Sequence, residues 1–276
     1  MKNVLVIGGD LRQRYLAEDI EKTGTNTSVY FENNKDLSSL EEKIKNSDII
    51  VCPVPFTKDK KNIFSTQCST DLDIEDFLNY INSKHTVFGG NIPQNIKTNF
   101  KEKGVDYVDF MNIEEVSVKN AIATAEGTIA EAIRHSSINI HNSKCLVLGY
   151  GRCGKVIAQK LKALDAHVTI ADRSEEKLAN GFSFGLETAD IYNLEGTIDN
   201  FDFIFNTVPK LLIKKNIIDL MKKDVVIIDI SSAPGGVDFE YCKALGVNAN
   251  LCLGLPGKYS PKTSADILFG AVKKYL

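Results

Sequence analysis

The stretch VLGYGRCGKVIAQKL places Gly149, Gly151 and Gly154 between an apolar run and an amphipathic helical pattern. This G-x-G-x-x-G spacing is typical of a strand–turn–helix unit that binds a dinucleotide. The first glycine permits the tight turn, the second lets a pyrophosphate approach the backbone, and the third lets the helix pack on the strand. The helix start then offers free N–H groups to the phosphates. The other residues of this turn that we expect to line the site are Tyr150, Arg152 and Cys153.

The next apolar run, VTIAD, ends at Asp172, 23 residues after the first glycine, close to the ~20 expected for a ribose-binding acid. An acidic residue at this place accepts hydrogen bonds from the ribose hydroxyls and repels a 2′-phosphate, which favours NAD. Arg173 and Ser174 follow directly, and an arginine here can clamp the 2′-phosphate of NADP. The two signals conflict, so the sequence leaves NAD and NADP open.

Two later apolar runs end in FNTVP and IDISSAPGG. Open α/β sheets bind their ligands at the carboxyl ends of the strands. The residues expected to line the ribose and nicotinamide end of the groove are Thr207, Val208, Pro209, Ser231 and Ser232.

Apolar runs alternate with helical patterns in two sets, which predicts parallel sheets with crossover helices. A long helical pattern over residues 112–136 connects the sets, and Gly127 inside it marks close approach by another backbone or a ligand. The predicted fold is therefore α/β, with two doubly wound domains, the second a Rossmann domain, and a C-terminal helix that returns to the first. The expected segments are a substrate-side domain (1–115), a connector helix (116–140), an NAD(P)-binding domain (141–256) and a C-terminal turn and helix (257–276).

The bulk properties exclude several classes of protein. The formal net charge is -3 with no basic stripe, which argues against nucleic acid as a partner. No apolar run approaches the roughly 20 residues that span a bilayer, and the start MKNVLVIGGD lacks a signal peptide's longer core, so we expect a cytoplasmic protein. Without C-x-x-C spacing or paired histidines we expect no metal site. The cysteines, expected to be reduced and buried, are Cys52, Cys68, Cys145, Cys153, Cys242 and Cys252.

The first domain offers cationic candidates at the end of its first strand, in VIGGDLRQRYL. Asp10 is expected to cap the following helix with its own carboxylate. Arg12 and Arg14 then stand in the first helical turn, and arginine suits bidentate recognition of a carboxylate. For Arg12, substrate binding and a solvated surface role are equal alternatives.

The stretch GLPGKYSPKTSADIL, near the end of the chain, predicts a second anion socket. Ser260 and Pro261 read as an N-cap and the favoured first helical residue. The amides that follow would point out of a helix start, and Lys258 lies just before the cap. We therefore expect Lys258 and Thr263 to bind a carboxylate.

Several of these stretches together resemble the A subunits of dipicolinate synthase from spore-forming bacteria, over nearly the whole chain. They are VIGGDLRQ, TAEGTI, LGYGRCGKVIAQKLKAL, NTVP, IIDISSAPGGVDF and GLPGKYSPKTSADIL. The G-G-D start and the GLPGKYSPKT turn are the most specific. The chain departs from the family at Tyr259 and Ser260, where Val-Ala is more common, a difference that would alter the pocket wall.

The resemblance implies NAD(P)-dependent oxidation of dihydrodipicolinate, or of its hydroxylated tetrahydropyridine precursor with loss of water, to dipicolinate during sporulation. It implies a cofactor usually described as NADP, a dicarboxylate substrate, the cytoplasm of the mother cell and, as partner, a flavoprotein-like B subunit. No histidine or glutamate constellation indicates acid–base catalysis, but positioning alone can supply ~7–11 kcal/mol. For the proton, Asp10, Lys210 and water are the candidates.

Two other interpretations stay open from the sequence. One is another two-domain NAD(P)-dependent dehydrogenase of a small hydroxy or amino acid, with His85 or Lys210 as the acid–base residue. The other is a nucleotide-sensing protein without chemistry of its own. The sequence also leaves open the homo-oligomeric state and the division of dehydration and oxidation between the two kinds of subunit.

Overall fold

The computed structural model describes residues 2–30, 39–66 and 72–276. The chain divides into two compact units. Unit 1 comprises Met1–Asn120 and Ser260–Leu276, and unit 2 comprises Ala121–Tyr259. The division thus falls at residues 120 and 259, whereas the sequence pattern placed the boundaries at 115, 140 and 256.

Unit 1 contains a five-stranded parallel sheet. Its strands are β1 (Asn3–Ile7), β2 (Asn26–Tyr30), β3 (Ile49–Val51), β4 (Thr86–Gly89) and β5 (Asp106–Asp109). Their order, β2-β1-β3-β4-β5, puts the topological switch point between β1 and β3. The sequence predicted a strand over TSVYF, whose last residue, Phe31, lies outside the described residues.

Unit 2 contains a six-stranded parallel sheet. Its strands are β6 (Lys144–Leu148), β7 (His167–Asp172), β8 (Glu187–Asp190), β9 (Phe203–Asn206), β10 (Val226–Asp229) and β11 (Asn248–Leu251). The order β11-β10-β9-β6-β7-β8 is that of a Rossmann domain, with the switch point between β6 and β9. The prediction missed β8, because this edge strand is mostly exposed and has no apolar run.

Helices connect the strands of both sheets. They are α1 (Leu11–Glu21), α2 (Leu40–Lys45), α3 (Ile74–Tyr80), α4 (Gln94–Glu102), α5 (Glu114–His135), α6 (Arg152–Ala163), α7 (Glu175–Ser183), α8 (Lys215–Ile218), α9 (Phe239–Leu245), α10 (Leu255–Tyr259) and α11 (Pro261–Val272). Short 3-10 helices span Phe110–Asn112, Ile198–Asn200 and Lys273–Tyr275. The predicted architecture of two doubly wound α/β domains is confirmed.

Both sheets are buried on their two faces, as parallel sheets are. In β1, Leu5 and Ile7 join one hydrophobic cluster while Val4 and Val6 join another. The second of these clusters also contains α11, whose buried residues include Leu268. The predicted return of the C-terminal helix to the first domain is therefore confirmed.

The described cysteines are all free, and burial raises the pKa of Cys145 to about 12. Burial also raises the pKa of Cys242 and of Cys252 to about 11. Cys68 lies outside the described residues.

In residues 2–30, 39–66 and 72–276, no helix combines the length and apolar character needed to cross a bilayer. The same residues contain no cluster of His, Cys, Asp and Glu that could hold a metal ion.

Candidate functional site

The glycine turn lies at the carboxyl end of β6, beside the switch point of unit 2. Gly149 has φ +89°, and a Cβ there would lie 2.5 Å from Thr207 Oγ1. A Cβ on Gly154 would lie 1.9 Å from the carbonyl oxygen of Gly149. Gly151 is different, because a Cβ there would meet no protein atom within 4 Å. The protein itself thus requires two of these glycines, while the third borders open space at the N-cap of α6.

The other residues of the turn contribute unequally. The Tyr150 ring is fully buried in the core beside β6, so only its backbone can face a ligand. Arg152 is exposed and Cys153 half-buried in the first turn of α6, where free N–H groups attract anions. Burial raises the pKa of Cys153, which keeps this thiol protonated at neutral pH.

Asp172, at the end of β7, is 5% exposed and already hydrogen-bonded within the protein. Its Oδ2 accepts from the amide of Tyr150 at 2.7 Å, and its Oδ1 from the amide of Ser174 at 3.0 Å. The ammonium of Lys177 lies 3.3 Å from Oδ2. Burial raises the pKa of Asp172, but these three donors outweigh it and hold the pKa below its ordinary value. The carboxylate fixes the turn, a role that the sequence did not predict.

Positive and polar residues follow Asp172 directly in the chain. Arg173 is exposed, and Ser174 caps α7 by accepting from the amide of Lys177. Sequence reasoning missed Lys177, although its place in the first turn after the Ser174 cap would have indicated it.

The ends of β9 and β10 are held by buried polar residues that sequence reasoning also missed. Asn206 is fully buried, and its Oδ1 accepts from the amide of Val208 at 3.1 Å. Asp229, also fully buried, accepts from the amide of Ser231 at 2.8 Å. The signal was available, since each of these two apolar runs ends in a residue with a short polar side chain.

The residues predicted on these loops lie at the same sheet edge as the glycine turn. Thr207 Oγ1 donates to the carbonyl of Leu148 at 2.9 Å, so its hydroxyl is tied to the turn. Val208 is half-buried and Pro209 exposed, whereas Ser231 is buried. Lys210, a candidate proton acceptor, lies with its ammonium 5.1 Å from the ring centroid of Tyr192.

In unit 1, Asp10 caps α1 as predicted, accepting from the amide of Arg12 at 3.1 Å. The Arg12 side chain also clasps the carboxylate, with Nε 2.8 Å from Oδ1 and Nη2 2.7 Å from Oδ2. Nη2 donates as well to the carbonyl of Val54, and Arg12 is only 6% exposed. The solvated-surface alternative for Arg12 is therefore wrong. Burial raises the pKa of Asp10, but the Arg12 donors and charge hold it below its ordinary value.

A second cation near this pair was missed in the sequence. The ammonium of Lys58 lies 3.7 Å above the ring of Phe64, whose carbonyl accepts from the amide of Gly9 at 2.6 Å. Burial lowers the pKa of Lys58, and so does the positive charge of Arg12. The Asp10 carboxylate raises it, but the pKa stays below its ordinary value. Arg14, the other predicted cation, is half-buried on α1.

The predicted turn before Ser260 is helical, as α10, and it packs on α5. A Cβ on Gly127 would lie 2.9 Å from Leu255 Cβ, so side chains of α10, and not the backbone or ligand that was predicted, make the close approach there. Lys258 pairs with Glu131, a carboxylate that is 2% exposed. The division of the chain places Lys258 in unit 2 and the exposed Thr263 in unit 1. Ser260 occupies the N-cap position of α11 without a side-chain hydrogen bond.

Comparisons with known proteins cover both units. Residues 3–111 match the model of the N-terminal domain of the dipicolinate synthase A subunit. Residues 116–245 match the family model of the NAD binding domain of D-isomer specific 2-hydroxyacid dehydrogenases. The dipicolinate synthase A subunit of Bacillus subtilis is 32% identical over 99% of this chain and 95% of its own length.

Crystal structures of such proteins have the same fold. The structure of the dipicolinate synthase A subunit from Bacillus halodurans gives a TM-score of 0.89, at 29% identity, and covers 99% of this chain and 97% of its own. The crystal structure of the Bacillus subtilis A chain gives a TM-score of 0.86, at 28% identity. It covers 99% of this chain and 95% of its own.

Proposed function

Because this chain belongs to the family of dipicolinate synthase A subunits, we propose that it oxidises dihydrodipicolinate, or its hydroxylated precursor with loss of water, to dipicolinate. Unit 2 carries an NAD-binding domain of the dehydrogenase type, and the oxidant is a nicotinamide dinucleotide. The observation that carries the proposal is the open N-cap of α6 at Gly151, beside the switch point of a Rossmann sheet.

The residues of unit 2 fit such a cofactor. The backbone of Gly151, Arg152 and Cys153 would hold the pyrophosphate, since a helix N-terminus presents free N–H groups and a positive dipole end. Thr207, Val208, Pro209 and Ser231 would line the ribose and nicotinamide. When bound, such a cofactor would supply the hydride acceptor, and the substrate ring would lose a hydride and a proton to become the aromatic product.

Between the two cofactors, we propose NADP. Asp172 faces inward to three protein donors, which leaves less of its carboxylate to accept from ribose hydroxyls or to repel a phosphate. Arg173, Ser174 and Lys177 surround that position with donors suited to a 2′-phosphate.

Neither candidate base is well placed to take the proton. The Asp10 carboxylate is bound by three donors of Arg12, and its lowered pKa makes it a weak base. Lys210 lies over Tyr192. We therefore propose that water accepts the proton and that positioning against the nicotinamide supplies most of the acceleration.

The substrate's carboxylates call for cationic or N–H-rich partners. We propose Arg12 and Arg14 for this role, with Lys58 beside them, and also Lys258 and Thr263. The pairing of Lys258 with Glu131 orients its ammonium, and the Lys258 side chain is 52% exposed. The relatives' designation as A subunits supports a partner, for which we propose the flavoprotein-like B subunit, in the mother-cell cytoplasm during sporulation.

A coupled assay tests the proposal. The hydroxylated tetrahydropyridine dicarboxylate is made in place from pyruvate and aspartate semialdehyde by its synthase, and the chain is added with NADP or NAD. We expect dipicolinate and reduced cofactor to rise in equal amounts, faster with NADP. The Gly196→Ala variant serves as a control, since a Cβ on this glycine would meet no atom within 4 Å. Cofactor binding without turnover, with or without the B subunit, would overturn the proposal.

A further inference from the structure

Two loops from distant strands meet at the nucleotide-binding edge of unit 2. In the sheet order β9-β6-β7-β8, two strands separate β8 from β9, which is about 14 Å at ~4.8 Å per strand. Because all four strands are parallel, their carboxyl ends share one edge. The two strands in between carry the glycine turn and Asp172.

Tyr192 follows the end of β8, and Lys210 follows the end of β9. The Lys210 ammonium lies 5.1 Å from the ring centroid of Tyr192, within the distance of a cation–π contact. The contact therefore spans the ends of β6 and β7. The Tyr192 side chain nevertheless stays 59% exposed, so a ring held by a cation presents an open face at this edge.

A similar pair elsewhere in unit 2 shows what an ordinary surface contact looks like. The Lys215 ammonium lies 5.0 Å from the ring centroid of Tyr241. Tyr241 is half-buried, and its hydroxyl donates to Asp219 at 2.7 Å, so that ring is anchored within its own surface. It lies on α9.

We propose that Tyr192 and Lys210 form the wall on which the adenine base of the dinucleotide rests. Lys210 covers one face of the Tyr192 ring and leaves the other for stacking with the base, as aromatic side chains stack with bases in nucleic-acid sites. This inference rests on the proposed function, and it gives Lys210 a binding role in place of an acid–base role.

The test uses ADP-ribose, which lacks the nicotinamide, titrated calorimetrically into the full chain. Tyr192→Ala should weaken ADP-ribose binding roughly 5- to 150-fold, the range for stacking of one base, and Tyr192→Phe should retain most of it. Lys210→Met should weaken binding by a smaller factor, and in turnover its effect should fall on the KM for the cofactor. Lys215→Met, the matched control, should bind as the native chain does.

The outcomes separate this inference from the function it rests on. A native chain that turns over substrate while Tyr192→Ala binds ADP-ribose as tightly as before would overturn the inference alone. A Lys210→Met variant that loses kcat with unchanged ADP-ribose affinity would return this residue to acid–base catalysis. A native chain that binds neither ADP-ribose nor NADP would overturn both proposals together.

Discussion

The amide of Tyr150 donates a hydrogen bond of 2.7 Å to the carboxylate of Asp172, and so joins the glycine turn to the end of the neighbouring strand. The same carboxylate accepts from the amide of Ser174 at 3.0 Å, at the cap of α7. One buried acid thus fixes the two loops on which a nucleotide would rest. Loss of this carboxylate should therefore lower the free energy of unfolding.

Asp172→Asn is expected to lower the free energy of unfolding by about 1–3 kcal/mol, because the amide group leaves one of the buried donors without an acceptor. Urea denaturation measures this. Asp165→Asn is the control, since that carboxylate is 75% exposed and surface changes usually stay within about 0.5 kcal/mol. Unchanged stability with weaker NAD binding would instead assign Asp172 to the ribose.

Gly151→Ala should separate folding from binding. A Cβ at this position meets no protein atom within 4 Å, so the variant should unfold at the native temperature. Cofactor affinity should fall at least ~10-fold, because the methyl group takes space that the pyrophosphate needs. Calorimetric titration with NADP measures it, with Gly196→Ala as the control. Native affinity in the Gly151→Ala variant would place the pyrophosphate elsewhere.

Much of this fold follows from local pattern. The spacing of Gly149, Gly151 and Gly154 and the strand–helix alternation predicted the Rossmann unit. The edge strand β8 was missed because Glu187 and its neighbours are mostly exposed and bear no apolar alternation. Periodicity reports burial, so a solvent-exposed strand gives little signal.

The site was harder to predict than the fold. Asp10 and Arg12 were both expected near a ligand, but two residues apart on a capped helix they clasp each other. Glu131 and Lys258 are far apart in sequence, and nothing local indicates their pairing. A pattern can thus place a charged residue at a sheet edge but cannot say which tertiary partner will neutralise it.

Gly127→Ala is expected to destabilise the chain by about 1–2 kcal/mol. The new methyl would lie 2.9 Å from Leu255 Cβ, and the overpacking outweighs alanine's better helix propensity of ~1 kcal/mol. Gly270→Ala, on α11, is the matched control: its Cβ meets nothing within 4 Å, so this variant should be as stable as the native chain or more stable. Thermal unfolding compares the two, and equal melting temperatures would contradict the close packing of α10 on α5.

Arg12→Met should cost about 3 kcal/mol of unfolding free energy, since it leaves the Asp10 carboxylate without its partner. Arg12→Lys should also lose stability, because lysine cannot clasp a carboxylate with two parallel donors. Lys22→Met removes a cation whose side chain is 67% exposed, and Lys262 still pairs with the Asp19 carboxylate at 2.7 Å, so stability should change by less than about 1 kcal/mol. If Arg12 served only the substrate, the variants would keep the native melting temperature and show a raised KM.

Acid should weaken the protein through the Glu131 carboxylate. Burial raises the pKa of Glu131, but Lys258 and Arg134 outweigh this and lower it to about 2, from an ordinary value of 4.5. A lowered folded-state pKa stabilises the protein above pH ~4.5, and this stabilisation is lost as the pH falls towards 2. Between pH 5 and 3 the free energy of unfolding of the native chain should therefore fall by about 2 kcal/mol more than that of Glu131→Gln, as measured by urea unfolding.

Glu176→Gln, an exposed substitution, should follow the native chain. Parallel losses in the native and Glu131→Gln chains would show that the Lys258 pair does not hold this carboxylate ionised.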